Sequence, residues 1–293
     1  MTSDPRTTAP KAELVFLGTG TPRINPNRKA TAQAIIFNNE AFLIDCGSGA
    51  MYQAATAFEQ GIEPLKPTLI HHIFLTHLHS DHCLGLAEMI FAPWVVGRKK
   101  PISIFGPPGT QAMIQSLIKA YEADIKVRIN GLETLSIDAL EPIVYEIESG
   151  DIFQIEGMAV QAFDVHHGNW PYAFGFKFLF HDKKVVFSGD TCPCEGIRQA
   201  AKDVDILIHE VYAHSAARAE NRAGGEKWPQ YMQEFHTSSL ELGVLAAWCR
   251  VKILIVNHVV RGSESDADLV QEIRQGGYQG EVIVAKDLDS FSV

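Results

Sequence analysis

The feature that most constrains this chain is a short polar stretch, Thr76-His77-Leu78-His79-Ser80-Asp81-His82, which holds four side chains able to bind metal ions. The apolar run 73–75 before it is typical of a buried strand, and segment 84–90 after it has helical periodicity. Imidazole and carboxylate groups bind zinc and other borderline divalent cations. The stretch therefore predicts a metal site on a loop between two rigid elements. A merely polar, histidine-rich loop is the weaker alternative.

The same stretch resembles the His-x-His-x-Asp-His signature of the metallo-β-lactamase superfamily of metal-dependent hydrolases. Further segments along almost the whole chain resemble its ribonuclease Z and arylsulfatase-like branch. These segments are 14–22, 43–47, 105–109, 188–191, 209–211 and 236–238. The resemblance implies an α/β fold of four layers, the αββα sandwich.

The order of the predicted elements agrees with that fold. Runs of strands followed by helices occur twice, which suggests two sheets packed face to face with helices outside. Residues 1–12 are polar and contain proline, so we expect a loose tail followed by a single domain at 13–293. Segment 124–148 is less regular, and we expect an insertion or a pair of edge strands there.

Three further metal ligands follow from the resemblance. Counting back from the Phe-Gly-Phe strand at 174–176 favours His167 over His166. Asp190 directly follows a buried strand, where a carboxylate is costly unless it is paired or bound to metal. The implied sites are His77, His79 and His167 for one ion, Asp81, His82 and His258 for the other, and Asp190 bridging both.

The donor set suits two divalent ions in a catalytic site. Five neutral imidazoles and two carboxylates carry −2 against +4 from the ions, so the site keeps positive charge for an anionic substrate. Two ions roughly 3.5–4 Å apart generate a bridging hydroxide nucleophile near neutral pH. We expect zinc, with Mn²⁺ or Fe²⁺ as alternatives.

Three residues are the expected catalytic groups. Asp81 is one, as a metal ligand, and the resemblance places His236 in the active site beside Glu210. A histidine held by a carboxylate is suited to protonate a leaving group or to bind a phosphoryl oxygen. The alternative is a helix-capping histidine in a buried ion pair. His166 is a candidate substrate contact, with a structural histidine as the equal alternative.

An enlarged segment, 213–235, is the predicted substrate lid. It contains Trp228 and Tyr231, which we expect to form an aromatic wall over the metals, with Trp170 on the opposite side. An irregular surface segment with incidental aromatic residues is the alternative.

Charge and loop length favour a small-molecule substrate. The net charge is −10, with 35 acidic against 25 basic residues, whereas proteins that hold long nucleic acids normally carry a basic face. Ribonuclease Z enzymes that process tRNA usually have a long basic arm where this chain has only segment 177–184. We therefore expect nucleic acid to be an unlikely partner.

The expected activity is hydrolysis of a small ester-like substrate, with a phosphodiester or sulfate ester favoured. Lactones, carboxylic esters, β-lactams and aryl halides are alternative substrates of the same fold. Two further alternatives are a tRNA 3′-processing endonuclease and a non-catalytic metal-binding protein.

Cysteine usage and hydropathy bear on location. Five cysteines form an odd set without a disulfide-like framework, and no apolar run approaches the ~18 residues of a membrane span. We expect a cytoplasmic protein without a membrane segment, although a cleaved leader would leave the same mature sequence. The resemblance also suggests a homodimer.

Overall fold

A computed structural model of the chain describes residues 12–133 and 135–293. Its strands are β1 (Glu13–Gly18), β2 (Ala32–Phe37), β3 (Glu40–Ile44), β4 (His72–Phe74), β5 (Ser103–Gly106), β6 (Ile143–Glu146), β7 (Ile152–Ile155), β8 (Met158–Asp164), β9 (Phe174–Phe180), β10 (Lys183–Phe187), β11 (Ile206–Tyr212), β12 (Ile253–Val260), β13 (Glu281–Val284) and β14 (Ser290–Ser292). Its α-helices are α1 (Ala50–Glu59), α2 (Ser80–Cys83), α3 (Leu86–Val95), α4 (Thr110–Ala120), α5 (Glu122–Asn130), α6 (Glu195–Ala200), α7 (Trp228–Phe235), α8 (Ser239–Cys249) and α9 (Asp266–Gln275).

The strands form two sheets. The first has the order β14-β1-β2-β3-β4-β5-β6, and the second has the order β13-β12-β11-β10-β9-β8-β7. Strands β3 to β6 are parallel in the first sheet, and β10 to β13 are parallel in the second. Because the loops that leave the carboxyl ends of parallel strands gather at one edge, both sheets can contribute side chains to a common site.

Three apolar layers explain why the sheets stack with helices outside. One layer lies between the first sheet and helices α1, α3 and α4, and another lies between the second sheet and helices α6, α8 and α9. The middle layer lies between the sheets and is rich in phenylalanine. The prediction of a four-layer αββα sandwich is confirmed.

Strand β9 shows how the sequence builds the middle layer. Phe174, Phe176, Phe178 and Phe180 recur at every second position and are buried there. Successive side chains of a strand point to opposite faces, so this spacing turns all four rings toward the other sheet.

Two predicted irregular segments contain regular structure. Segment 124–148 holds most of α5 and the edge strand β6, so the expectation of a pair of edge strands is wrong for its helical part. Segment 213–235 ends in α7, whose eight residues carry the aromatic side chains of the predicted lid.

The ends of the described chain lie in the first sheet. Ala12 belonged to the predicted tail but is buried, and its carbonyl accepts a hydrogen bond from Val293 N. The rest of that tail lies outside the described residues, and the boundaries of the single domain stay a prediction. None of the helices in residues 12–133 and 135–293 has the length and apolar character needed to cross a bilayer.

Candidate metal centre

The histidine-rich stretch lies where the first sheet meets the second. Strand β4 ends at Phe74, the chain passes His77 and His79, and α2 begins at Ser80. His77, Asp81 and His82 are buried, and His79 is half-buried. Because β4 has strands on both sides and α2 itself carries Asp81 and His82, the four predicted ligands are held on a fixed backbone.

Three histidines turn ring nitrogens toward one another. His79 Nδ1 lies 2.9 Å from His77 Nε2 and 3.1 Å from His167 Nε2. A tetrahedral ion with zinc–nitrogen bonds of about 2.0–2.1 Å would separate its ligand nitrogens by roughly 3.3 Å. The three nitrogens are therefore close to the spacing that a single ion requires.

A second group contains Asp81, His82 and His258. His258 Nε2 lies 3.1 Å from Asp81 Oδ2, and His82 Nε2 lies 3.6 Å from the same oxygen. Asp190 Oδ2 lies 3.3 Å from His82 Nε2 and 3.5 Å from His258 Nε2. Asp190 also groups with His77, so this carboxylate lies between the two sets of donors, where the predicted bridge belongs.

A glycine turn and a strand bulge place Asp190 and His258 beside the histidine-rich loop. Gly189 has a φ of +61°, and a Cβ there would lie 2.6 Å from Phe174 O, so the turn before Asp190 requires glycine. Strand β12 continues past Asn257 to Val260 through a bulge that leaves His258 unpaired with β11. Bulges of this kind re-aim a side chain next to an active site.

Neighbouring groups fix the orientation of three rings. His82 Nδ1 donates to Asp45 Oδ2 at 2.7 Å, and His167 Nδ1 donates to the Phe235 carbonyl at 2.8 Å. His77 Nδ1 lies 3.0 Å from Thr76 Oγ1. A proton held on Nδ1 leaves the Nε2 lone pair free for a metal.

Asp45 orients the loop that carries the first four predicted ligands. Its carboxylate accepts hydrogen bonds from Thr76 N at 2.9 Å and from the ring of His82. It belongs to none of the potential metal-binding groups found in the described part of the chain.

Electrostatics favour cation binding. Burial lowers the pKa of His77 well below its usual value and that of His167 to about 4, so both rings are neutral and able to act as ligands. Against the effect of burial, His258 and His82 hold the pKa of Asp190 well below its usual range. The carboxylate is therefore ionised.

His82 holds a proton at a position that a divalent cation would occupy. Against the effect of burial, Asp190 and Asp45 raise the pKa of His82 well above its usual value, so a proton offsets their charge. Its buried Nε2 makes no hydrogen bond to any described residue. A divalent ion would take the place of that proton and use the Nε2 lone pair, so the residues fit two metal ions. The seven ligand roles stay a prediction.

His236 and Glu210 adjoin this cluster. His236 Nδ1 lies 3.3 Å from Glu210 Oε2, and both side chains are buried. Glu210 Oε1 accepts a hydrogen bond from Thr237 N at 2.8 Å, which orients the carboxylate. One ring nitrogen of His236 groups with His167 and Asp190, so the predicted acid lies beside both sets of donors.

Two of the predicted substrate contacts lie at the metal centre. The Trp170 ring lies 4.2 Å from the ring of His79, centroid to centroid. The Tyr231 ring lies 5.8 Å from the ring of His236, centroid to centroid, and burial, with the charges of Asp190, Asp81 and Glu210, raises the pKa of Tyr231 to about 12.

Trp228 and His166 are placed differently. Trp228 stacks on Tyr231 at 5.3 Å and has the guanidinium groups of Arg23 and Arg222 each 5.2 Å from its ring centre. It therefore supports Tyr231 and does not offer an open wall. His166 is exposed and lies outside the potential metal-binding groups of the described residues, so its substrate contact stays a prediction.

Phe235, the last residue of the predicted lid segment, lies against a predicted ligand. Its ring stacks on Tyr231 at 4.3 Å and meets the His167 ring edge-on at 5.1 Å. Tyr231 and Phe235 are four positions apart, a spacing at which side chains meet on a helix.

Replacing Trp228 with alanine should raise KM about 2–10-fold, because an aromatic stack contributes ~0.5–1.5 kcal/mol and Tyr231 loses its support. Metal content should not change. Steady-state kinetics and metal analysis measure both. Trp248→Ala is the matched control, since Trp248 is an exposed tryptophan on α8 whose ring contacts the guanidinium group of Arg198. An unchanged KM in Trp228→Ala, or an equal change in the control, would count against the lid.

Comparison with known proteins identifies the family. The model of a family described as anti-Pycsar protein Apyc1 matches residues 12–221. The ribonuclease Z of Mycobacterium marinum (strain ATCC BAA-535 / M) is 30% identical over 256 residues, which cover 85% of this chain and 86% of that protein. The chain belongs to the Apyc1 family, a ribonuclease Z-like branch of the metallo-β-lactamase superfamily.

Solved structures agree with this membership. The short form of human tRNase Z superposes on this Apyc1-family chain with a TM-score of 0.68 and 25% identity, covering 96% of this chain and 99% of that one. The metallo-β-lactamase-fold protein YhfI from Bacillus subtilis gives a TM-score of 0.73 at 17% identity, covering 97% and 100%. The predicted superfamily and branch are confirmed, and the Apyc1-family chain is a hydrolase of the metallo-β-lactamase fold.

Proposed function

We propose that this chain hydrolyses phosphodiester bonds with two divalent metal ions. The observation that carries the proposal is the position of Asp190, whose Oδ2 lies 3.3 Å from His82 Nε2 and 3.5 Å from His258 Nε2 and which also groups with His77. Two divalent ions held there would supply an activated water and stabilise negative charge on phosphoryl oxygens.

The side chains around the ions have separate tasks. Glu210 Oε2 lies 3.3 Å from His236 Nδ1, an ion-pair distance without a hydrogen bond, and His236 gives a proton to the leaving oxygen or binds a phosphoryl oxygen. Trp170 and Tyr231 exclude water on two sides. The donor set contains imidazole and carboxylate without thiolate, which suits zinc and also Mn²⁺ or Fe²⁺.

The relatives favour an RNA substrate. Ribonuclease Z and tRNase Z are the names of proteins that match nearly the full length of this chain. These names support precursor tRNA as the phosphodiester and weaken the expectation, drawn from net charge, that nucleic acid is an unlikely partner.

A small phosphodiester is the second candidate. Strands β9 and β10 are joined only by His181 and Asp182, so the basic arm expected of a tRNA-processing enzyme is replaced by a tight hairpin. The net charge of −10 also opposes binding of a long polyanion. A homodimer and a cytoplasmic location remain part of the proposal.

Parallel assays distinguish the candidates. The zinc-loaded protein would be given a 3′-extended precursor tRNA, bis(p-nitrophenyl) phosphate, p-nitrophenyl sulfate, a lactone and a β-lactam, with Asp190→Ala as the background control. Specific cleavage of the tRNA, with affinity that falls steeply as salt increases, would establish the first candidate. Turnover of the diester alone would establish the second. Turnover of only the sulfate, lactone or β-lactam would refute phosphodiester hydrolysis.

A further inference from the structure

His258 differs from the other buried histidines of the metal centre in the surroundings of its second ring nitrogen. His82 Nδ1 donates to Asp45, and His167 Nδ1 donates to the Phe235 carbonyl. His258 Nδ1 is buried and makes no hydrogen bond to any residue in the described ranges. Metal-binding histidines almost always donate their other N–H to a carboxylate, a carbonyl or a water, so His258 requires a partner of the third kind.

A small cavity between the two sheets adjoins this ring. It measures about 20 Å³ and has a largely apolar wall that also carries polar residues from both sheets, among them Thr31 and Gln33 from one side and Asn257 and His258 from the other. A single buried water needs roughly 10–15 Å³ and two to four polar partners. The cavity is therefore large enough for one water and too small for most ligands.

The cavity wall offers the polar partners that a water requires. Asn257 Nδ2 donates to Thr31 Oγ1 at 3.3 Å, and Gln33 Nε2 donates to the same oxygen at 2.8 Å. Because Thr31 Oγ1 accepts twice, its hydroxyl hydrogen is free to donate elsewhere. Asn257 Oδ1 is a buried acceptor that makes no hydrogen bond within the described residues. The cavity therefore offers one acceptor, Asn257 Oδ1, and two donors, the Thr31 hydroxyl and His258 Nδ1–H. These three groups match the three hydrogen bonds of a typical buried water.

We propose that Asn257 is a positioning residue that holds one ordered water between its Oδ1, the Thr31 hydroxyl and His258 Nδ1–H. The proposal rests on the proposed function, in which His258 binds metal. His258 is the bulged residue of β12 and has a φ of +45°, so regular strand pairing does not fix its backbone. The water supplies the missing restraint and directs Nε2 toward Asp81 Oδ2, 3.1 Å away.

Crystallography and metal titration test this directly. A crystal structure of the zinc-loaded protein should show one water peak within hydrogen-bond distance of Asn257, Thr31 and His258. Asn257→Leu should remove the peak and raise the dissociation constant of the weaker zinc site about 10–100-fold, the usual effect of losing an outer partner of a ligand. Competition with a chromogenic chelator measures that constant without any substrate.

A matched pair at Thr31 separates the water from general effects on folding. Thr31→Val removes the hydroxyl with little change of shape and should weaken zinc binding as Asn257→Leu does. Thr31→Ser keeps the hydroxyl and should bind zinc as the wild type does. Circular dichroism of the zinc-free variants confirms folding, and Thr31→Val decides the matter if Asn257→Leu fails to fold.

Two results would overturn the proposal. One is a dry cavity in the wild-type crystal, and the other is wild-type zinc affinity in folded Asn257→Leu or Thr31→Val. Either result would leave the proposed function standing if the wild type binds two ions and cleaves phosphodiesters. Conversely, absence of phosphodiester turnover in a protein that shows the water and binds zinc would refute only the proposed activity.

Discussion

Asp190→Ala is expected to lower turnover by about 10³-fold or more and to reduce bound metal from about two ions per chain to one or fewer. Asp190 is buried between His82 and His258, and it contacts donors of both groups. Removing its carboxylate takes one negative charge from a site that must hold two cations. The remaining imidazoles cannot replace that charge, so affinity and turnover fall together.

Metal analysis by mass spectrometry and steady-state kinetics at increasing zinc measure the two effects. Asp45→Asn is an informative companion, because Asp45 contacts the ring of His82 and lies outside the ligand groups. It should weaken metal binding by about 10–100-fold and recover turnover at high zinc. Asp205→Asn, which removes a surface ion pair with Lys252, should change neither quantity.

Two results for Asp190→Ala would assign this carboxylate a role other than bridging the ions. If Asp190→Ala retained two ions and wild-type turnover, the carboxylate would be a neighbour of the metals and not a ligand. If it lost turnover but retained both ions, its role would lie in orienting the activated water.

The part of the site that follows from local sequence is the loop 77–82. Its four predicted ligand side chains are neighbours in the chain, so their convergence needs only the turn from β4 into α2. The other predicted ligands, His167, Asp190 and His258, come from the ends of distant strands. Resemblance to a family supplied them, because no periodicity in this chain indicates which strand ends meet.

The local sequence pattern did not predict the elements that depend on tertiary packing. In α5, Ile125, Val127 and Ile129 alternate with polar residues, which is a strand pattern, and only Ile125 is buried. The bulge at His258 was equally hidden, since a bulge adds one residue to a strand without a specific residue type. Asn257 and Thr31 drew no attention in the sequence because their shared cavity exists only once the sheets pack.

Net charge alone does not decide whether the protein binds nucleic acid. A value of −10 describes the whole surface, whereas substrate binding depends on the charges near the site. Arg23 and Arg222 flank Trp228 of the predicted lid, so basic groups lie there despite the acidic total.

His236→Ala is expected to lower kcat by about 10²–10⁴-fold, the usual range for loss of a general acid, with metal content unchanged. His236 lies beside His167 and Asp190 and is not one of the seven predicted ligands. Glu210→Gln should have a smaller effect, because Glu210 acts through the ring 3.3 Å away and through Thr237 N.

The dependence on leaving group separates the two roles proposed for His236. If the ring protonates the leaving oxygen, the loss should be large for an alkyl or ribose leaving group and small for p-nitrophenolate, which departs without a proton. If it binds a phosphoryl oxygen, the loss should be similar for both. Ser238→Ala is the structural control, since it removes the cap of α8 at a cost of about 1 kcal/mol in stability and should leave kcat unchanged. A wild-type kcat in metal-loaded His236→Ala on both substrates would show that this histidine serves the fold and not the reaction.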